Sequence, residues 1–376
     1  MKKSLCLVLI ASFLAAGLNA QNAEPSNPAV FSLYGFGRAN YFWDNKDMGR
    51  TDLFIPANIK VGVPTEPNFF IGAKQTRIGL DIVQPFGSNA LAIKIEGDFH
   101  NDASNSIGMF RMRHAYANYK WILVGMTWSN FFDIDVNPVV VDFEGPNSST
   151  LLRTPQIKFS TYGTNNTFSI SFENSIEQIQ INDSISVLPI RFPDIVGAFK
   201  RKGDFGFVKI AGLVRELRYK SDMARSLLSY GVTVMTAINL PKKDKLRFQF
   251  VGGTGVASYI EGTNGLNYDA VYNGTNTLDA LFIVGTNISY QHFWRDTFYS
   301  SITGGFLSAS QNANLSPTDY KLGYYGSINT FWQVVPNFVF GAEVVAGQRV
   351  NFDNSSGTAF RFQLNATYSF KKVFSN

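Results

Sequence analysis

The segment FRFQLNATYSF, residues 360–370, places Phe360, Phe362, Leu364, Ala366, Tyr368 and Phe370 on one face of an extended strand. Arg361, Gln363, Asn365, Thr367 and Ser369 fall on the other face. The same period of two recurs along the chain. Phe338, Phe340, Ala342, Val344 and Ala346 alternate with Gly341, Glu343 and Gly347. Ala280, Phe282, Val284 and Ile288 alternate with Asp279, Gly285, Asn287 and Ser289, and Leu91, Ile93, Ile95 and Phe99 with Lys94, Glu96 and Asp98. Successive side chains of a strand point to opposite faces, so each segment predicts one apolar and one wet surface. A soluble antiparallel sheet has this pattern, and so does a barrel wall with lipid outside and water inside.

The connections favour the barrel. QPFGSN, KW, TYGTNN, KGDF, PKKDK, FWRD and QVVPN are tight, whereas residues 45–70, 173–191 and 255–276 are long and polar. Alternation of short turns and long loops predicts an all-β fold, a transmembrane antiparallel barrel of sixteen strands, with seven short periplasmic turns and eight long extracellular loops. Tyr41, Trp43, Trp121, Trp294, Trp332, Tyr368 and Phe370 fall near strand ends, where amphipathic rings favour the headgroup layer.

The N-terminal MKKSLCLVLIASFLAAGLNA has two lysines, an apolar run and small residues up to Ala20, the three regions of a secretory signal peptide. The expected organisation is therefore a signal segment at 1–20, a short N-terminal segment at 21–30, a barrel at 31–370 and a tail at 371–376. Export and the barrel pattern together predict the outer membrane of a Gram-negative bacterium. The single cysteine, Cys6, lies in the signal, so the mature chain offers no disulfide and no cysteine-based metal site. A formal net charge of +5, two units of it from the signal lysines, is too small to imply nucleic acid.

A sixteen-stranded barrel is wide enough for water, so the polar face becomes the candidate chemistry. By phase it carries Arg38, Arg77, Lys94, Glu96, Arg111, Arg113, Lys158, Glu343, Arg349 and Arg361, with a cationic excess. Arg111 and Arg113 are two apart and form a short guanidinium ladder. The loop that follows, residues 130–150, contains Asp133, Asp135, Asp142 and Glu144, yet is rich in Val and Phe for a solvent loop. It is expected to fold inward as a constriction and set acids against the basic wall. The plainer reading is that the arginines pair with loop carboxylates and hold the loop. The loop at 255–276 is the alternative constriction.

QTRIGLDI, RMRHAYANYKWILVGMTWSNFFDID and DFEGPNSSTLLRTPQIKFS resemble the DcaP-like porins, outer-membrane channels for small dicarboxylates and related anions. The resemblance implies a sixteen-stranded homotrimer with an inward third loop, and a positive constriction to which Arg111, Arg113 and Arg153 contribute. Members of that family can carry an N-terminal coiled-coil segment. Here QNAEPSNPAV separates the expected cleavage site from the first strand.

Other chemistries have less support. His100, His114 and His292 stand in no Ser/His or metal-binding arrangement, and His114 and His292 read as packing or interfacial residues, so neither an enzyme nor a cofactor is expected. In GFGRAN the spacing is not that of a dinucleotide fingerprint, and Gly35 and Gly37 instead suit close packing between strands or protomers. The four loop acids could hold Ca²⁺, against competition from the nearby arginines. The expected function is passive diffusion of small hydrophilic solutes, preferring small anions such as dicarboxylates, with outer-membrane lipids around the wall. The alternatives are a non-specific, sugar or phosphate porin, or a barrel plugged by its own loops that acts as a receptor or structural element.

Overall fold

The computed structural model describes residues 27–49, 51–100, 108–181, 185–275 and 277–375; the expected signal segment and its cleavage site lie outside these. Sixteen long strands form the wall: β1 (Val30–Asp44), β2 (Arg77–Phe86), β3 (Asn89–Asp98), β4 (Arg111–Tyr119), β5 (Ile122–Trp128), β6 (Arg153–Tyr162), β7 (Asn166–Glu173) and β8 (Asp194–Gly203) are the first eight. The rest are β9 (Gly206–Lys220), β10 (Ala224–Asn239), β11 (Lys245–Thr254), β12 (Phe282–Arg295), β13 (Phe298–Ala309), β14 (Tyr320–Val335), β15 (Phe338–Asn351) and β16 (Ser356–Ser375). Each pairs antiparallel with its sequence neighbour. β1 also pairs with β16 along its whole length, from Val30 opposite Ser375 to Asp44 opposite Arg361, so the sheet closes and no long edge remains. Two short strands, Asn68–Gly72 and Ser186–Val187, add to the wall against the outer ends of β1 and β9.

The seven tight connections fall at one end and have two to five residues each. At the other end six connections are long, but residues 221–223 and 352–355 are tight, two fewer long loops than the pattern predicted. The expected tail at 371–376 is also different: β16 continues through Ser375, with Lys371 opposite Tyr34 and Lys372 opposite Leu33. Leu278–Ala280, read as the start of β12, instead belongs to a small separate sheet with Ala270–Tyr272 and Ile179–Gln180.

The alternation sorts side chains as a membrane wall requires. Ile328, Phe340, Val344, Phe362 and Leu364 are exposed on the outer surface, while Asn329, Glu343, Gln363 and Asn365 on the same strands are buried inside. An apolar exterior over a polar interior is the inverse of a soluble fold and is stable only in lipid. Trp121, Trp294, Trp332 and Tyr368 are among the exposed rings near the tight-turn end. A depression of about 730 Å³ between Trp121, Phe168, Gly197, Phe199 and Gly212 opens on this outer surface and is no part of the lumen. Gly35 meets the close-packing expectation, since a Cβ there would stand 2.3 Å from the Arg77 carbonyl oxygen. Gly37 has open space.

One irregularity changes the lumen. The pairing of β3 with β4 slips between Glu96 and Gly97, leaving Arg113 as an extra residue in β4. A bulge of this kind re-aims the side chains beside it. Arg111, Arg113 and His114 all turn inward, so His114, which strict alternation would put on the face of Met112, is a buried packing residue and bonds Thr127 Oγ1 at 3.0 Å.

Inside the outer half of the barrel the loops pack on one another. Loop 1 (residues 45–76), loop 3 (129–152) and loop 6 (255–281) contribute Ala57, Phe131, Val256, Ala257, Tyr259 and Ile260 to an apolar cluster completed by Val196, Leu213, Ile283 and Leu307 of the wall. Burial of these apolar groups explains why valine- and phenylalanine-rich loops leave the extracellular surface. Both candidate constriction loops are therefore inside.

Candidate functional site

Loop 3 is held by contacts with inward side chains around much of the wall. Phe132 carbonyl accepts from Lys209 Nζ of β9 at 2.6 Å, and Asp133 pairs with Lys200 of β8 at 2.6 Å, with Asp135 at 3.1 Å from the same ammonium. Further on, Val139 carbonyl accepts from Asn329 of β14 at 2.9 Å, and the N–H groups of Val141 and Asp142 donate to Glu343 of β15 at 3.0 and 2.8 Å. Arg38 of β1 donates to the Val141 carbonyl at 2.7 Å. The return limb meets Asn287 of β12 through Ser148 and Gln249 of β11 through Thr150. Sequence set all four third-loop acids against the arginine wall; in the structure only Glu144 faces it. Asp133 and Asp135 meet lysines, while Asp142 accepts from Phe54 and Gly145 N–H groups and from the Tyr325 hydroxyl. Burial, with Glu343 as a further push, raises the Asp142 carboxyl to about 7.

The arginines concentrate on the wall from β2 to β6. Arg111 makes a two-pronged pair with Asp98, 3.0 and 2.8 Å, and Arg113 bonds Glu96 at 3.0 Å and Asp98 at 2.8 Å. Arg77 stands 3.4 Å from Glu96. The partners are carboxylates of β3, next door on the wall, rather than those of the loop. Arg153 is different. Among the described residues it makes no hydrogen bond or ion pair; its guanidinium lies over the Trp128 ring at 4.4 Å, within the field of Arg111 and Arg113. Phe143 of loop 3 completes the face, 6.0 Å from both Arg111 and Arg113, with His100 stacked on its ring at 4.8 Å.

The structure brings Arg77, Arg111, Arg113 and Arg153 together, four guanidiniums for the two carboxylates Glu96 and Asp98. Arg38 anchors the loop tip beside them. Lys158 lies further down the lumen near Glu173 and Asp133. Arg361 does not line the pore: it is fully buried behind loop 1, paired with Asp44 at 2.6 Å and enclosed by Phe42, Phe54 and Phe70. Arg349 is likewise engaged, donating to carbonyls of Ala57 and Thr318.

Sequence reasoning missed Glu261 of loop 6, whose side chain bonds that of Glu144 and faces Arg153, Arg111 and Arg113. The position carries no motif; only the inward fold of both loops brings it there. Trp128, the platform for Arg153, was legible only as part of a tryptophan-bearing strand. Among the described residues no group of three or more His, Asp or Glu side chains is placed to hold a metal ion. The four loop acids do not converge.

A closed sixteen-stranded barrel, apolar outside and polar within, whose lumen is narrowed by inward loops beside charged side chains, defines the outer-membrane channel class. The structural comparisons agree. The outer membrane channel DcaP of Acinetobacter baumannii superposes with a TM-score of 0.82 at 25% identity, covering 91% of this chain and 98% of that one. An anion-selective porin from Comamonas acidovorans gives 0.62 at 9% identity over 91% and 100% of the two chains. The trimer form of OmpT, an outer membrane protein of Vibrio cholerae, gives 0.58 at 11% identity over 92% and 100%. No curated protein matched by sequence. A profile of the DcaP outer membrane protein family matches residues 55–370, and the chain belongs to that family. Its place is accordingly the Gram-negative outer membrane.

Proposed function

We propose that the protein is a porin preferring small anions, with dicarboxylates as the best-suited class, and that Arg77, Arg111, Arg113 and Arg153 form the anion-facing wall of its constriction. The surplus of guanidinium over carboxylate on that wall carries the reading, with Arg153 the residue that has no acid of its own. Guanidinium donors match a carboxylate in plane and spacing, so a solute with two carboxylates can engage two of them at once. Of the loop acids, Asp133 and Asp135 are already matched by lysines, and Glu144 and Glu261, bonded to each other, offset only part of this surplus. We read the protein as non-catalytic and as a homotrimer, the latter supported by its family resemblance and the trimeric structural neighbour. The signal at 1–20 is part of the same proposal.

Reversal potentials in a salt gradient across a planar bilayer test it. Anion preference, weakened by Arg153→Ala, is the expected result, and cation preference in the unaltered protein would overturn it. A second reading, a barrel plugged by its loops, draws on the apolar cluster shared by loops 1, 3 and 6. Inserted barrels with no measurable conductance would favour that one.

A further inference from the structure

We infer that Glu144 and Glu261 form a proton-sharing pair that sets how strongly the constriction prefers anions, so that selectivity is highest in acid and falls as the medium becomes alkaline. The inference rests on the proposed anion preference and names residues that determine its strength.

The geometry comes first. Loop 6 lies directly against loop 3: Glu261 N–H donates to the Ser149 carbonyl at 2.9 Å and Gly262 N–H to the Asn147 carbonyl at 2.8 Å. The approach is so close that a Cβ on Gly262 would sit 2.5 Å from the Asn147 oxygen. At this junction the side chains of Glu144 and Glu261 bond each other. Two ionised carboxylates have no hydrogen to share, so the bond requires a proton on one of them. Burial pushes both carboxyls up, Glu144 most strongly because the neighbouring charges of Glu261 and Asp142 add to the effect. Glu144 is the protonated donor and Glu261 the acceptor, the latter favoured as carboxylate by Arg153, Arg111 and Arg113.

The charge count makes this proton matter. The wall offers the four guanidiniums of Arg77, Arg111, Arg113 and Arg153 against Glu96 and Asp98. With the loop pair sharing one proton, the cluster retains one net positive charge; without the proton it is neutral, and with a second proton the surplus doubles. Other titratable groups nearby are Asp142 on loop 3, His100 just beyond the end of β3 and Asp52 on loop 1. Burial lowers the pKa of His100, which holds it neutral over most of the range considered, and Asp142 accepts from the Phe54 N–H of loop 1 and the Tyr325 hydroxyl of β14. One unit of charge in a narrow, partly desolvated passage is expected to change the anion-to-cation permeability ratio by roughly three- to tenfold.

The experiment is the reversal potential of the full channel in a potassium chloride gradient at stepped pH from 5 to 9. The expected result is a ratio that is highest at pH 5 and falls through the range. Glu144→Gln, whose amide still donates to Glu261 but cannot lose a proton, should lose the alkaline part of the fall, and the Glu144→Gln, Glu261→Gln double variant should hold a constant ratio throughout. Asp142→Asn should keep the fall. A wild-type channel that is anion-selective but flat with pH overturns this inference alone, whether or not the variants fold. Loss of the fall in Asp142→Asn overturns the assignment to the pair. A channel without anion preference at any pH overturns the proposed function beneath it.

Discussion

Two sets of arginines stand inside the same barrel and are built in opposite ways. Arg215 and Arg361 have fully buried side chains, the first between Asp194 and Asp269, the second against Asp44. Each also donates to loop groups: Arg215 to Ser258 and the Gly255 carbonyl of loop 6, Arg361 to the Thr51 carbonyl of loop 1. Arg111 and Arg77 keep about a quarter of their side-chain surface open, at 27% and 21%, and with Arg113 share two carboxylates, while Arg153 has no ion-pair partner among the described residues and faces Glu261 of loop 6. Inside a low-dielectric loop core a charge must be matched by its own acid, whereas beside water a surplus persists because solvent or a solute supplies the balance. Arginine is thus a fastener where charges balance and a recognition element where they do not.

The strongest way to break the comparison is at the fasteners. Arg361→Ala strands the buried Asp44 at the β1–β16 seam and should lower barrel stability by about 3–5 kcal/mol, read as a loss of heat-modifiable folded barrel on gels and a lower urea midpoint. Arg153→Ala in the same assay should cost less than about 1 kcal/mol, because no ion pair or hydrogen bond is broken. Equal costs for the two variants would erase the distinction. Next in size is deletion of residues 136–141 from loop 3, which removes the limb reaching β14 and β15 and should raise single-channel conductance several-fold in inserted barrels. Unchanged conductance would assign the narrowing to loop 6.

Selectivity sharpens the comparison further. Arg111→Gln with Arg113→Gln leaves Glu96 and Asp98 without their main partners and should both invert the preference toward cations and lower stability. Arg153→Ala should reduce the anion-to-cation ratio by only a few-fold while the urea midpoint holds. The smallest effect belongs to Lys200→Met, which removes a matched pair with Asp133: conductance and stability should move little, within about 1 kcal/mol for the latter, with a modest rise in gating noise.

Much of the wall was legible because alternation has a rigid geometric meaning. The faces of β15 and β16, the seven tight turns and the inward direction of Arg111 and Arg113 follow from counting by twos. Counting failed at Arg113, where the bulge adds one residue and moves His114 from the outer face to the inner. It failed differently at Arg361. Its inward phase was right, but phase does not say what stands in front of a side chain, and Phe42, Phe54 and Phe70 close it off. The partners of Arg111 and Arg113 depend on strand register, and Glu261 depends on two loops meeting across more than a hundred residues of chain. Neither leaves a local mark in the sequence.

The stitching of loop 6 to loop 3 at Ser149 and Asn147 has a mechanical consequence. Two segments joined by paired main-chain bonds, with a glycine where they touch, cannot swing independently without first tearing that seam. Spontaneous closures of the channel should then be shared events, with loops 3 and 6 shifting as a single shutter between two current levels instead of flickering through a graded series.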